Sequence, residues 1–406
     1  MTSGPLTGIK VLEFSQVIAA PYAGQILSDM GAEVLKVEPP EGESWRLQAQ
    51  FAPLESKTYQ TLNRGKSCMT LRLSEPKAQQ VVHQLVADMD VVLINYRPDV
   101  PAKFKIDYDT LSSIKADLIY VDLTAFGRRG PWAMRPGYDG AIQAVSGLMA
   151  GEGKIRADGS PMTISSTAIA DVSTGMVLAD ATITALYHRQ QTGLGQMVQC
   201  SLLATALNLQ GSVIMEHPEA DRAFRNPHRD SRIKRAQEGA SYRELIELRE
   251  AAFRATSDPF YRAYVTQNGA LVVAAESDQH RRAVCEILDL DDSSIDDEQR
   301  LEALFVTRTT EEWLDELVQK RVPCSPAHFP EEMSTHKQVL DNQWMVAMEH
   351  DLTGSQTQLE PYLRFSSSKL EAPLAAPPLG RDTGQVLSSL GFTDDEIRVF
   401  ADKGII

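Results

Sequence analysis

The chain has 406 residues, 43% of them apolar, with 40 Lys and Arg against 55 Asp and Glu, a formal charge of −15 with neutral histidines. At roughly 100–200 residues per domain this length predicts two or three domains, and the apolar content is ample for a core and too high for disorder. The acidic balance argues against general nucleic-acid binding, which rests on neutralising phosphates, but leaves room for one basic pocket that takes an anionic ligand.

The first third reads as α/β. Ile9-Lys10-Val11-Leu12-Glu13-Phe14 is a short run predicted as a strand. It leads through residues 15–21 into a helix predicted over 22–30, with Gly31 at the C-terminal cap. Residues 32–37 predict a second strand, ended by Pro39-Pro40. Residues 76–89 predict a helix with Val81, Val82, Leu85 and Val86 as its apolar stripe. Residues 91–94 and 118–121 predict two further strands. Strands alternating with helices point to a mainly parallel sheet covered on both faces. Helices over 138–149 and 169–190 flank a Gly-rich polar loop at 151–161. Thr192-Gly193-Leu194-Gly195-Gln196 then turns into a strand at 197–201.

Composition shifts after about residue 212. Residues 217–235 carry Arg222, Arg225, Arg229, Arg232, Lys234 and Arg235, and read as a solvated linker, with an anion site as the alternative. A charged helix is predicted over 241–253, a strand at 270–275 and a helix over 279–288. An acidic connector follows at 289–298, then a helix over 310–320 with Thr310 as its N-cap. The tail carries Pro377-Pro378-Leu379-Gly380 and a last helix over 394–401.

No apolar run approaches the roughly 20 residues that span a bilayer, and the N-terminus has neither the basic nor the apolar region of a signal peptide. Cys68, Cys200, Cys285 and Cys324 show no CxxC spacing, so reduced thiols and a cytoplasmic location are expected. The eight histidines show no metal-ligand spacing, and no metal site is expected. Walker A, GxGxxG, HExxH and GxSxG are absent. One acid stands out by context. Asp171 lies where the polar loop gives way to a long apolar helix. It reads either as a first-turn acid that caps the helix, the commoner case, or as a catalytic carboxylate. Its small neighbours Ala170 and Gly175 are expected to leave room for a ligand.

These segments together resemble the class III (family III) coenzyme A transferases, the group of formyl-CoA transferase and the carnitine CoA-transferases. The resemblance runs nearly end to end. It is carried by Gly8-Ile9-Lys10-Val11-Leu12-Glu13, by residues 30–40 (Met30-Gly31-Ala32-Glu33 onward), and by Asn63-Arg64-Gly65-Lys66-Ser67. Asn95-Tyr96-Arg97-Pro98, Phe126-Gly127, Gly137-Tyr138-Asp139 and Gln143-Ala144-Val145-Ser146-Gly147 continue it. Ala170-Asp171 to Gly175, Thr192 to Gln196, and Pro377 to Gly380 complete the series.

The resemblance implies an α/β fold with a Rossmann-like large domain built from both termini (1–212 with 345–406). A smaller α+β domain (213–344) and an interlocked homodimer are also implied. It matches Asp171 to the family's catalytic aspartate, ionised at neutral pH without a base. The implied reaction moves CoA from an acyl-CoA donor to a carboxylic acid acceptor through an aspartyl anhydride and an aspartyl–CoA thioester. Backbone N–H groups near a helix N-terminus would suit the oxyanions. It also matches Gln16, Val17, Ile18 and Ala19 to the first CoA-contacting loop, and Lys66, Asn95, Arg97 and Lys103 to segments that line the nucleotide. Tyr138 is expected either to pack on the nucleotide or the core, or to take a hydrogen-bonding role. No cofactor beyond CoA itself, no nucleic acid and no membrane partner are expected.

Two other functions stay open. The superfamily's 2-methylacyl-CoA racemases carry a histidine in the position of Tyr138, and tyrosine is a poor proton shuttle at neutral pH. A CoA-binding protein without turnover is the other, because the family's glycine-rich lid has no counterpart between residues 205 and 265. Further departures are Asp99 and Lys105 in place of usual glycines, and Gly42-Glu43 in place of Gly-Asp.

Overall fold

The computed structural model describes residues 4–254, 258–290, 298–370 and 374–406. The chain divides into two compact units, Met1–His217 with Asn342–Ile406, and Pro218–Asp341.

The first unit is built on six parallel strands: β1 Lys10–Phe14, β2 Glu33–Glu38, β3 Ser67–Thr70, β4 Val91–Ile94, β5 Ile119–Thr124 and β6 Gln196–Ser201. Their order across the sheet is β3-β2-β1-β4-β5-β6. Every neighbouring pair is parallel. Side chains alternate between two cores, as a pleated strand requires. Val11, Val34, Val91, Leu93, Ile119 and Val121 meet helix α1, Ala19–Asp29. Leu12, Phe14, Leu35, Val37, Val92, Ile94 and Tyr120 meet α2, Pro76–Val86. With both faces covered, β4 is apolar throughout, while β1, β2 and β5 bury the charged Glu13, Lys36, Glu38 and Asp122 among their apolar residues. Gly31 follows α1 with φ +98°.

The helix expected over residues 138–149 is two pieces. Helix α3, Asp139–Ser146, stops at Gly147, whose φ of +91° breaks the ladder before the turn Leu148–Gly151. Helix α4, Ile169–Thr192, runs for 24 residues. Its most apolar stretch reaches a mean hydropathy of 1.3, so by length and composition it passes for a membrane span, against the expectation of no such run. Half of that stretch is buried within the protein, against α1 and α5, Leu202–Asn208.

The second unit corrects the predicted linker. Residues 217–235 form α6, Pro218–Ala223, and α7, Arg225–Gln237, with α8, Tyr242–Arg254, behind them. Neither α6 nor α7 has a buried residue, so no apolar periodicity marks them in the sequence. Ion pairs one turn apart hold them instead: Glu219–Arg222, Asp221–Arg225 and Arg235–Glu238. These pairs occupy cations that an anion site would need. The antiparallel strands β7 Tyr261–Val265, β8 Ala270–Ala274 and β9 Cys324–Pro326 lie in the order β9-β8-β7. They pack with α9, Asp278–Leu288, α10, Glu298–Phe305, and α11, Thr310–Gln319, around Phe260, Tyr264, Phe305 and Trp313. The cap of α11 is Thr309, which forms a capping box with Glu312, while Thr310 is buried on Thr266. Residues 291–297 of the acidic connector lie outside the described residues.

The tail returns to the first unit. It adds the hairpin of β10 Met345–His350 and β11 Gly354–Leu359, then α12, Thr383–Ser389, and α13, Asp394–Asp402. Asp382 accepts from the Cys68 amide and donates its own N–H to the Cys68 carbonyl, while the Ile405 carbonyl accepts from Arg72. The open edge of β3 is thereby covered.

Candidate active site

Strand order reverses between β1 and β4, and the chain leaves these neighbours in opposite directions. In such a sheet the carboxyl ends of those strands open a crevice. Gln16, Val17, Ile18 and Ala19 line it after β1, and Asn95, Tyr96, Arg97 and Pro98 after β4. Leu123, Thr124 and Ala125 close it at the end of β5, with Arg135, Pro136, Gly137 and Tyr138 ahead of α3. Asp171 reaches it from α4. Seven of the expected ligand residues thus meet Asp171 in one cleft; Lys66 and Lys103 do not line it.

The loop after β1 is pinned rather than free. Asn95 accepts from the Gln16 N–H at 3.1 Å and donates to the Gln16 carbonyl at 2.8 Å. One N–H and the oxygen of its amide thus hold the loop, while Asn95 itself lines the cleft. Val17 has φ +71°, a conformation that costs a β-branched residue about 1–3 kcal/mol. Helix α1 begins directly after it, with no side-chain cap and no acid in its first turn. Its first N–H groups lie beside the cleft as an electropositive end.

Asp171 sits in the first turn of α4, 6% exposed. It is not the cap. Asp139 from α3 accepts from the N–H groups of Ala170 at 2.8 Å and Asp171 at 3.3 Å, so a carboxylate 31 residues away caps the helix. Gln143, fully buried, donates to the other Asp139 oxygen and exchanges hydrogen bonds with Ile164. Among the described residues the Asp171 carboxylate makes no hydrogen bond. Burial, and then the neighbouring Asp139 charge, push its pKa up to about 7. The expectation of a fully ionised carboxylate at neutral pH is therefore corrected. So is the reason for its small neighbours. Ala170 is fully buried in the core. A Cβ on Gly175 would stand 2.7 Å from the Ala19 carbonyl oxygen, so Gly175 lets α4 close on α1 rather than admitting a ligand.

The cations differ from expectation. Arg97 is bidentate to Asp99 at 3.0 Å through both bonds, and Lys103 pairs with the same carboxylate. Asp99, in the place of a usual glycine, thus compensates both. Lys105, in another such place, has φ +54°, the left-handed conformation that glycine would take freely. Lys66 is 1% exposed and donates to Glu13, the Pro21 carbonyl and Asn63. Burial and nearby Lys36 hold its pKa down, to about 8 against the pull of Glu13. It is an interior ion, out of reach of a nucleotide phosphate. The residue missed by sequence reading is Arg135, whose guanidinium stacks 4.4 Å above the Trp132 ring in the cleft wall. Its only signal was its place just before Gly137-Tyr138-Asp139. Tyr138 is 63% exposed, not a core residue.

A family model for CoA-transferase family III matches residues 6–383. The chain belongs to CoA-transferase family III. Among relatives of this CoA-transferase, a succinate–glutarate CoA-transferase of Agrobacterium fabrum is 31% identical, over 95% of this chain and 96% of its own. A human succinyl-CoA:glutarate CoA-transferase is 28% identical, over 99% of this chain and 90% of its own. Among solved structures, a variant of Rv3272 from Mycobacterium tuberculosis superposes with a TM-score of 0.77 at 26% identity, covering 96% of this chain and all of the other. The CoA-transferase is thus a transferase enzyme of the α/β class, working between acyl-CoA and carboxylate substrates.

Proposed function

We propose that the chain transfers CoA between an acyl-CoA donor and a carboxylic acid through covalent intermediates on Asp171. The observation that carries this is a buried carboxylate with no hydrogen-bond donor among the described residues, in the cleft at the carboxyl ends of β1, β4 and β5. Once ionised, such a group is basic and poorly solvated, hence a strong nucleophile for its type. Asp171 attacks the thioester carbonyl and releases CoA thiolate, leaving an acyl–aspartyl anhydride. The thiolate attacks the aspartyl carbonyl, releasing the donor's carboxylate and leaving an aspartyl–CoA thioester. The acceptor carboxylate then runs both steps in reverse. Each acylation removes the Asp171 charge, and with it the desolvation penalty and the repulsion from Asp139. The uncapped N-terminus of α1 supports a role as oxyanion donor.

For CoA we assign the loop Gln16, Val17, Ile18 and Ala19, with Arg97, Arg135 and Tyr138 in the cleft wall and Lys103 beside it. The strand order supports a Rossmann-like reading of the large unit, and free scattered thiols support a cytoplasmic location. The assembly we infer is an interlocked homodimer.

Succinyl-CoA and glutarate, named for two relatives, are the first pair to assay. Incubation with succinyl-CoA followed by borohydride or hydroxylamine should leave a modified Asp171, detected by mass spectrometry. An unmodified Asp171 across a panel of acyl-CoA donors would overturn covalent transfer. Asp171→Ala should abolish transfer while CoA binding, measured by calorimetry, persists. Loss of both together would make Asp171 structural. An isomerase would instead exchange the α-proton of the acyl-CoA with solvent deuterium without moving CoA.

A further inference from the structure

Glu43 lies beyond β2, at the start of the short helix Ser44–Leu47, and no part of it lines the cleft. Its side chain is 2% exposed, and its two oxygens face two different donors. Oε2 accepts from the Val17 N–H at 2.7 Å. Oε1 pairs with the Lys36 ammonium at 2.9 Å. Lys36 is itself fully buried and shares Glu13 with Lys66. The Glu43 main chain is fixed as well, since its N–H donates to Glu38 at 3.0 Å and Glu38 is held by Arg46.

Val17 is the one residue of the cleft loop in a left-handed conformation, and it is β-branched. A strained conformation persists only where its surroundings over-determine it. Two anchors do so here: Asn95 brackets Gln16, and Glu43 accepts from the Val17 N–H. The turn between them sends the chain from the end of β1 into α1, whose first residue, Ala19, lines the cleft with Asp171.

We propose that Glu43 is a positioning residue for the transfer site. Its carboxylate clamps the Val17 main chain and so sets the entry of α1 into the cleft, while Lys36 holds the carboxylate in place. This rests on the cleft being the transfer site. The residue type follows from the donor count: a carboxylate has one oxygen for each donor, whereas an amide has a single oxygen for two. Glu43→Gln must therefore turn an N–H2 group toward either the Lys36 ammonium or the Val17 N–H, donor against donor.

The test compares the full-length chain with Glu43→Gln, with Val17→Gly, and with the two combined. Two quantities are read: amide hydrogen exchange of the peptide around Val17, and the rate at which succinyl-CoA forms the trapped Asp171 adduct. Glu43→Gln should speed exchange at this segment about 10-fold or more, as expected for losing a buried charge-assisted hydrogen bond. Adduct formation should slow by roughly 10- to 100-fold, the scale of a small misplacement of reacting groups. Glycine takes φ +71° without a clamp, so the double variant should form the adduct nearly as fast as Val17→Gly alone, whatever Val17 itself contributes to CoA; a merely structural Glu43 would leave it slower by the same factor as in the parent. Unchanged exchange in Glu43→Gln, an unchanged adduct rate, or a double variant slower than Val17→Gly by the factor that Glu43→Gln costs the parent would each overturn the proposal. If the unsubstituted chain forms no adduct with any donor, the transfer reading fails and the proposal fails with it, while exchange still reports separately whether the clamp exists. Should Glu43→Gln not fold, Glu43→Gln with Lys36→Met removes both charges of the pair and carries the same comparison.

Discussion

A buried carboxylate with no donor keeps its proton to higher pH, and for Asp171 this makes two predictions of opposite sign. Its pKa is raised from 3.8 to about 7. Between about pH 4 and 7 the folded chain therefore holds a proton that the unfolded chain has released. Stability contributed by this group is complete below about pH 4 and is lost as pH rises through 7, at up to about 1.4 kcal/mol per unit. Asp171→Asn cannot ionise. It should be more stable than the parent at pH 8, by roughly 2–4 kcal/mol in urea unfolding, and no more stable at pH 4. Equal stability at pH 8 would mean a solvated carboxylate. Activity runs the other way, because the nucleophile must be ionised. The transfer rate should climb with pH to a midpoint near 7, and Asp139→Asn should move that midpoint down by removing the like charge. A smaller effect is expected at Asp99, which compensates Arg97 and Lys103. Exposed pairs are weak, so Asp99→Asn should tighten CoA binding only about 2- to 5-fold at low salt, by calorimetry. None of this was legible in composition or spacing. The resemblance picked out Asp171, but the sequence alone favoured a cap. The true cap, Asp139, is distant in the chain. Lys66 misled for the same reason: a motif names a cation, and only the fold shows Glu13 and Asn63 closing around it.

The elements were legible where burial imposed a period. The strands at 91–94 and 118–121 and the helix at 169–190 stand close to their expected ends, because the strands are buried along their whole length and the helix buries a regular series from Ala170 through Thr174 and Leu178 to Ala185. Helices α6 and α7 were illegible because they bury nothing and rest on local ion pairs. The pairing of α1 with α4 is the element-scale feature that bears on the site, since it fixes the helix of Asp171 against the loop of Gln16 to Ala19. Gly175 is a point of close approach between them, and the first obstacle to a side chain there is main chain, the Ala19 carbonyl. Gly175→Ala would gain up to ~1 kcal/mol in helix propensity but force the helices apart, at about 1–3 kcal/mol. The net expectation is destabilisation in urea unfolding with a larger loss in kcat than in KM. A stabilised and fully active variant would mean that the two helices yield without disturbing the cleft.

At the scale of the molecule, the net charge of −15 and the local chemistry are separate matters: the cleft keeps Arg97 and Arg135 in its wall while the excess of acids lies elsewhere. The first unit also exposes large apolar side chains that a single chain leaves in water. Tyr187, Leu194, Leu209 and Val213 are 64%, 64%, 48% and 55% exposed. Isolated exposed apolar residues need no explanation, but several large ones on one unit are what a partner surface leaves when a chain is viewed alone. The inferred homodimer supplies such a partner. Sedimentation should therefore give twice the chain mass at micromolar concentration, with no dissociation on dilution to the nanomolar range, as threaded chains cannot separate without unfolding. With Val213 in that interface, Val213→Glu would bring an unpaired charge into an apolar contact, a penalty on the order of several kcal/mol. The variant should sediment as monomer or fail to assemble, and should lose transfer activity if the second chain completes the cleft. A parent chain that sediments as a monomer would remove the dimer, and a variant that stays dimeric would put Val213 outside the interface.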